Sequence, residues 1–228
     1  MKKFAVLVTM MMALATGAMA QEERSFTGLY ASVGTRKSDG DFTLAHRGPK
    51  FSFGTILDVP LRGNITTYEG GYRLQISQSN LRAGVNVTLH DGAISGAKNW
   101  HDHKSSATFG VVSDLRLSAG GELGLVLGER KRLYVYVGAE VVATNLGMEF
   151  TIETPYGDWN KEKEGGALGA LYTIGVQYQA TDRLSIGFEA SKMKFDADKA
   201  FGLGSMGSQT LEAELKQTTL GLVVSYNF

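Results

Sequence analysis

Apolar and polar residues alternate with a period of two along most of the chain after residue 26. The pattern is clearest at the C-terminus, where Leu220, Leu222 and Val224 share one face and Ser225 and Asn227 share the other. Such alternation predicts a β-strand with one apolar face, because successive side chains of a strand point to opposite sides. Seven earlier segments repeat it, so the sequence predicts eight strands. Their first alternating residues are Leu29, Tyr68, Leu81, Leu115, Leu133, Ala170, Leu184 and, for the last strand, Thr218.

The connections between these strands alternate in length. Three are short, near residues 78–80, 128–132 and 180–182, and four are long, at about 37–65, 91–113, 146–166 and 194–215. An even number of antiparallel strands with tight turns at one end and long loops at the other is typical of a transmembrane barrel. The predicted fold class is therefore all-β, an eight-stranded antiparallel transmembrane up-and-down β-barrel, with strand ends that extend into the first long loop.

Charged residues lie on only one face of the predicted strands, and seven of them fall at mid-strand positions. They are Glu69, Arg73, Arg82, Arg116, Glu122, Glu140 and Glu189. A soluble barrel of the lipocalin type must fill its interior with apolar groups, so it cannot hold these charges. With lipid outside, the charges face a narrow lumen and should pair there. A structural plug is the favoured interpretation, and a narrow or gated pore is the alternative.

Aromatic residues cluster toward the strand ends on the apolar face, where amphipathic rings favour the headgroup region. The predicted interfacial girdle consists of Tyr68, Tyr72, Tyr172, Tyr178 and Tyr226, with Phe228 beside them.

The first twenty residues carry a separate signal. Lys2 and Lys3 precede an apolar run, and Ala18 and Ala20 match the small-residue cleavage pattern of a secretory signal peptide. We expect residues 1–20 to be a cleaved signal peptide, residues 21–228 to be the barrel domain, and the protein to be exported through the periplasm.

Composition excludes some classes of partner and of chemistry. The chain has 23 basic and 23 acidic residues and no cysteine, which argues against a nucleic-acid partner and excludes thiolate chemistry.

Three segments resemble the small outer-membrane barrels of the OmpA, OmpX and opacity-protein type, a porin-like family. They are residues 28–34 (GLYASVG), residues 121–124 (GELG) and the closing residues 220–228. The resemblance implies a Gram-negative outer-membrane location and contact with outer-membrane lipid and lipopolysaccharide. It also implies recognition by the outer-membrane assembly machinery through a C-terminal signal, formed by Leu222, Val224, Tyr226 and Phe228.

Candidate chemistry is sparse. His101, Asp102 and His103 could contribute to a metal site, but a third fixed ligand is missing from the pattern, so no metal or cofactor is expected. His103 and Ser105 resemble part of the motif of lipid A deacylases, which continues with Asn-Ala-Gly where this chain has Ser-Ala-Thr. Catalysis is therefore not expected.

The predicted function is structural. We expect a surface-exposed barrel that contributes to envelope integrity and to adhesion, with host or cell-surface ligands bound through the long loops. Trp100 and Trp159 are the natural anchors of such contacts. The alternatives are a narrow porin-like channel and a lipid A-modifying hydrolase.

Overall fold

The computed structural model describes residues 26–48, 51–102, 105–128, 130–196, 205–206 and 209–228. The predicted signal peptide and its boundary lie outside these residues. The strands are β1 Gly28–Gly48, β2 Phe51–Gln75, β3 Leu81–Asp91, β4 Ile94–Asp102, β5 Ser105–Leu127, β6 Leu133–Thr154, β7 Gly157–Gln179, β8 Leu184–Asp196, β9 Ser205–Met206 and β10 Gln209–Asn227. Within the described ranges, no helix is long and apolar enough to cross a membrane.

The strands close into a barrel. Going round the ring, β1 pairs with β2, and the antiparallel ladders continue through β3, β5, β6, β7, β8 and β10 back to β1. Strand β4 continues the line of β3 and pairs with β2 and β5, while the two-residue β9 pairs only with β10. The predicted eight-membered antiparallel ring is confirmed in the part of the chain that the structure describes.

The ring is staggered, which tilts its strands. Val85 on β3 pairs with Tyr72 on the adjacent strand β2. Following the paired residues from Val85 the other way round the ring, through β5, β6, β7, β8, β10 and β1, also ends on β2, but at Arg62. The stagger is therefore ten residues, the separation of Arg62 and Tyr72 along β2. Stagger and strand number together fix the tilt, which in small barrels is about 35–45°.

An apolar belt surrounds the half of the barrel that is nearest the short turns. Its side chains point outward and are at least one-third exposed, which in water would be an aggregation surface and in lipid is the expected exterior. The belt consists of Val33, Leu74, Ile76, Val85, Val87, Leu117, Leu123, Leu125, Leu127, Val135, Val137, Val141, Leu168, Tyr172, Ile174, Val176, Tyr178, Ile186, Phe188, Leu220, Leu222, Val224, Tyr226 and Phe228. The face predicted to be apolar is thus the outer face.

The long loops predicted from the sequence are mostly strands, and this is a correction. The β1–β2 and β6–β7 hairpins continue the ladders far beyond the belt, with pairs as far out as Gly48↔Phe51 and Thr154↔Gly157. We call this part the distal extension. It comprises residues 40–48, 51–64, 94–102, 105–114, 144–154, 157–167, 193–196 and 209–217.

The distal extension has the polarity of a soluble barrel. On β2, Leu57, Val59 and Leu61 are buried inside, while Asp58 and Arg62 point outward. The apolar residues inside the extension form one cluster with three residues just below it, Ile65, Val142 and Leu171, and this cluster is here called the distal core. It consists of Phe42, Leu57, Val59, Leu61, Ile65, Ile94, Val111, Val142, Leu146, Ala167, Leu171, Met193, Phe195, Ala213 and Leu215. Burying each large side chain stabilises this part by about 1.5–3 kcal/mol, which accounts for ordered strands where loops were expected.

Two irregularities let strands pass from the belt into the distal extension. Gly92 interrupts the line from β3 to β4 with a φ of +120°, a conformation that side chains rarely adopt. On β5, Asp114 pairs with Asn145 and Arg116 with Thr144, so Leu115 is an extra residue that forms a bulge. The bulge shifts the phase of β5 and keeps both Val111 and Arg116 inside.

Candidate functional site

Two buried ion pairs cross the lumen at the level of the belt. Arg36 pairs with Glu189, and Arg73 pairs with Glu122, with all four side chains almost fully buried. Each carboxylate also accepts a hydrogen bond from a tyrosine, Glu189 from Tyr136 and Glu122 from Tyr134 at 3.2 Å. Ion pairs removed from bulk water persist only when such additional bonds satisfy them.

The two other predicted interior carboxylates are held by neutral groups. Glu69 accepts hydrogen bonds from the Tyr30 hydroxyl at 2.5 Å and from the Asn86 amide at 3.4 Å. The same Asn86 amide donates to Glu140 at 2.9 Å, and the Ser118 hydroxyl donates to Glu140 as well. One amide therefore links the two carboxyl groups into the network.

Aromatic rings enclose Arg73 near the short-turn end. Its guanidinium carbon lies 3.7 Å from the centre of the Tyr30 ring and 4.9 Å from that of Tyr134. Tyr134 stacks on Tyr136 at 5.1 Å and on Phe26 at 5.2 Å. Cations over aromatic faces gain about 0.5–2 kcal/mol, more when they are desolvated. The stacked rings are buried inside the barrel at this end.

The inward tyrosines lie against glycines on neighbouring strands. Tyr30 pairs across the ladder with Gly71, and Tyr136 pairs with Gly175. A Cβ atom at either glycine would overlap the tyrosine ring. Glycine at these two positions makes room for a flat ring inside a narrow barrel.

Little open space remains in the middle of the lumen. The cavity among Arg36, Glu69, Glu122, Glu140 and Glu189 measures about 10 Å³. A single water molecule needs about 10–15 Å³, so the network leaves room for one water at most. Chemically, the two arginine–glutamate pairs link strands that are not neighbours in the ring, and within each pair the two charges neutralise each other.

The structure does not bring all seven predicted charges together. Arg82 lies at the short-turn end, where its guanidinium donates to the carbonyl oxygens of Ser79 and Leu81, both at 3.1 Å. Arg116 lies at the other end of the belt and donates to the hydroxyl and the carbonyl of Ser113, both at 3.2 Å. Both side chains are buried, and both bind backbone carbonyls at the ends of the lumen.

Sequence reasoning missed six members of the network: Arg36, three tyrosines, and Asn86 and Ser118, which donate hydrogen bonds to the interior carboxylates. Arg36 lies next to the first predicted long loop, at about 37–65, although it continues the alternation of β1 after Gly34. Tyr30, Tyr134 and Tyr136 are on the polar face in the sequence pattern, where a tyrosine is unusual and could have indicated an interior role. The alternation that identifies Arg36 was therefore hidden by the predicted end of the strand, and the face that identifies the three tyrosines was visible in the sequence.

The predicted girdle residues point outward. Tyr72, Tyr178 and Tyr226 lie near the short-turn end, while Tyr68 and Tyr172 lie several residues farther along β2 and β7. Tyr226 accepts a hydrogen bond from the Arg183 guanidinium at 3.2 Å. Their role as interfacial anchors stays a prediction.

The residues of the predicted assembly signal share the outer face of β10. Leu222, Val224, Tyr226 and Phe228 are between 39% and 46% exposed, and the last two rings meet edge to face at 5.1 Å. The backbone nitrogen of Phe228 donates to the carbonyl of Leu29 at 3.0 Å, which ties the end of the chain to β1. Recognition by assembly machinery stays a prediction.

The other chemical candidates do not assemble a reactive site in the described residues. His101 is exposed near the end of β4, and His103 and Lys104 lie outside the described residues. No group of three histidine or acidic side chains within the described ranges could hold a metal ion.

A serine, a histidine and a glutamate do meet inside the barrel. The Ser118 hydroxyl lies 2.9 Å from the His90 Nε2 atom, and it donates its proton to Glu140. In a nucleophilic triad the carboxylate contacts the far nitrogen of the histidine, whereas here it contacts the serine itself. All three side chains face the lumen, and the serine hydroxyl donates to the carboxylate, so the geometry differs from that of a triad.

Lysines line the outer surface just beyond the belt on β8 and β10. Lys194 and Lys216 each lie 2.6 Å from the Glu214 carboxylate. Partial burial alone would raise the pKa of Glu214, but the hydrogen bonds from the two lysines outweigh it and hold that pKa below its usual range. Two cations therefore share one ionised carboxylate at this level.

The β6–β7 hairpin carries exposed aromatic rings at its tip. Tyr156 is fully exposed, and Trp159 is half exposed, with its ring centre 5.7 Å from that of Phe150 in an edge-to-face arrangement. Phe150 in turn contacts Phe109 at 6.5 Å, which connects the tip to the extension below.

A search of curated protein sequences finds no match. Neisserial surface protein A matches in structure with a TM-score of 0.42 and 14% identity, covering 89% of this chain and 98% of that one. The attachment invasion locus protein Ail of Yersinia pestis matches with a TM-score of 0.33 and 10% identity over 88% and 99% of the two chains. OprG of Pseudomonas aeruginosa matches with a TM-score of 0.47 and 8% identity over 91% and 100%.

The family model for the outer membrane protein beta-barrel domain matches residues 5–228, nearly the whole chain. The chain belongs to this family and is an outer-membrane protein of a Gram-negative bacterium.

Proposed function

We propose that the protein is a non-conducting, non-catalytic surface barrel that contributes to envelope integrity and uses its distal extension for adhesion. The observation that carries the proposal is the aromatic tip of the β6–β7 hairpin, held on a continuous ladder that ends at Thr154↔Gly157. Exposed aromatic residues on a rigid support are typical of contact surfaces, since they bury large areas at a small entropic cost.

Three successive barriers in the barrel support the absence of conduction. The tyrosine stack closes the short-turn end, the ion pairs fill the middle, and the distal core fills the extension. An aqueous path would have to pass all three.

Adhesion tests the proposal directly. We expect the double variant Tyr156→Ala, Trp159→Ala to lower the adhesion of a Gram-negative laboratory strain to cultured epithelial cells by about tenfold, because two anchor rings are lost. Adherent bacteria are counted for strains that display equal amounts of folded protein.

The matched control is Phe188→Ala, which removes an exposed ring from the belt on the lipid side. We expect it to leave adhesion unchanged. Equal adhesion of the tip variant and the parent would reject the tip as the contact surface.

Planar-bilayer recording separates the proposal from the channel alternative. We expect the purified protein to give no stepwise conductance, because the lumen is sealed at the level of the ion pairs. A stable conductance step that changes in the Arg82→Ala variant would establish the channel and contradict this part of the proposal.

A further inference from the structure

A groove of about 770 Å³ crosses the outer face of the belt between β5 and β10. Gly121, Ala139 and Ala190 line it with no more than a methyl group each, beside the larger side chains of Leu123 and Ile174.

The groove ends at a cation. Its last residues are Lys192 on β8 and Thr218 on β10. These two residues lie in one row across the strands with Ala139 and Tyr172, because each pairs with the next on the adjacent strand. The outward residue on β8 before Lys192 is Ala190 in the belt, and the next after it is Lys194 in the distal extension. The groove therefore runs from the upper edge of the belt into its apolar middle.

The charge at this edge is not balanced by the adjacent strands. The ladder neighbours of Lys192 are Tyr172 and Thr218, which carry hydroxyl groups and no charge. The next two lysines, Lys194 and Lys216, share the single carboxylate of Glu214. Farther round the barrel, Asp39 and Asp41 follow on β1, and the first of them pairs with Arg62 at 3.6 Å.

We propose that this groove binds one acyl chain of a phosphorylated lipid of the outer leaflet, lipid A, with a lipid phosphate paired to the Lys192 ammonium. An apolar groove that opens to the bilayer is filled by a hydrocarbon chain, and a lysine at the level of the headgroups attracts an anion. The hydroxyl groups of Tyr172 and Thr218 flank the same position and can donate to phosphate oxygens. The site adds a specific lipid contact to the fold and does not depend on the adhesive role proposed above.

Titration of the detergent-solubilised protein with diphosphoryl lipid A, read by native mass spectrometry, tests the site. Lys192→Ala removes the cation, and Ala139→Leu fills the floor of the groove. We expect each to lower the apparent affinity for lipid A by about tenfold. Lys192→Arg should retain most of the binding, since it keeps the charge.

Matched controls come from the same surface. Lys37→Ala removes another exposed outward lysine, and Ala143→Leu makes the same enlargement four residues along β6, outside the groove. Both should bind lipid A as the parent does. All variants lie on the outer surface, and the shift of the gel band on heating verifies that each is folded.

The result depends on which variants lose lipid binding and on whether they lose it for lipid A alone. The site is supported if Lys192→Ala abolishes the preference for lipid A over a phosphate-free glycolipid of similar chains, while Ala139→Leu weakens both lipids. It is rejected if the controls lose as much binding as the groove variants, if only Lys192→Ala has an effect, or if Ala139→Leu disrupts a dimer of barrels and leaves lipid binding intact.

Discussion

Replacing Arg73 with alanine is expected to lower the free energy of unfolding of the barrel by about 3 kcal/mol or more. The change leaves Glu122 as a buried carboxylate without its ion-pair partner, and it removes the cation held over the Tyr30 ring. Urea titration of the protein in lipid vesicles, followed by the heat-sensitive gel band, measures the effect.

The control is an arginine of the same kind in a different environment. Arg62 pairs with Asp39 at 3.6 Å, with the two side chains 82% and 60% exposed, so Arg62→Ala should cost less than about 1 kcal/mol. The double variant Arg73→Met, Glu122→Leu should recover most of the lost stability, because it removes both buried charges together. An Arg73→Ala variant as stable as Arg62→Ala would show that the lumen is well hydrated.

Phe42→Ala is expected to destabilise the distal extension by about 3–5 kcal/mol. Phe42 is fully buried in the distal core, and its ring stacks on Phe109 with centres 6.1 Å apart. The cavity left by the change lies outside the belt, so the extension should open while the lower barrel stays closed. Protease added to intact cells should then cut the extension, and the remaining barrel should still shift on heating.

Tyr156→Ala is the control for this experiment, because Tyr156 is fully exposed at the hairpin tip and does not contribute to the distal core. It should leave the extension resistant to protease. If Phe42→Ala were equally resistant, the extension would owe its order to backbone pairing and not to its core.

The part of the barrel inside the belt could be predicted from the sequence because lipid imposes one rule, that side chains on the outer face are apolar. Leu220, Leu222 and Val224 must face outward, and the alternate positions must be polar or small, so a single period of two reveals the strand. The ring, its closure and its orientation of charges followed from that rule.

The distal extension escaped prediction because the rule reverses there. Leu57, Val59 and Leu61 alternate with Asp58 and Arg62 just as regularly, but with the apolar side inward. A search for apolar outer faces treats such segments as charged loops. The bulge at Leu115 also breaks the phase of β5 where the two halves meet, which hides the continuation of that strand.

Only part of the candidate site could be predicted, because the sequence shows which face a residue is on but not which residue lies opposite it. Glu122 and Arg73 could be assigned to the lumen from their faces, but their pairing depends on the registers of β2 with β3 and of β3 with β5, which place both residues opposite Gly84 and which no single strand reveals. Arg36 was lost because the predicted strand ended just where the structure continues it.

The reversal of polarity between the two halves also fixes how deep the barrel lies in the membrane. Sinking would bring Lys192 and Asp114 into hydrocarbon, and rising would expose Val33 and Leu220 to water, so either movement is opposed. From the last belt residue of β7, Leu168, the strand runs eleven residues to Gly157, a height of roughly 25–30 Å for a tilted strand. The aromatic tip is thus held at a set distance above the belt, because depth and strand length are both fixed by the fold.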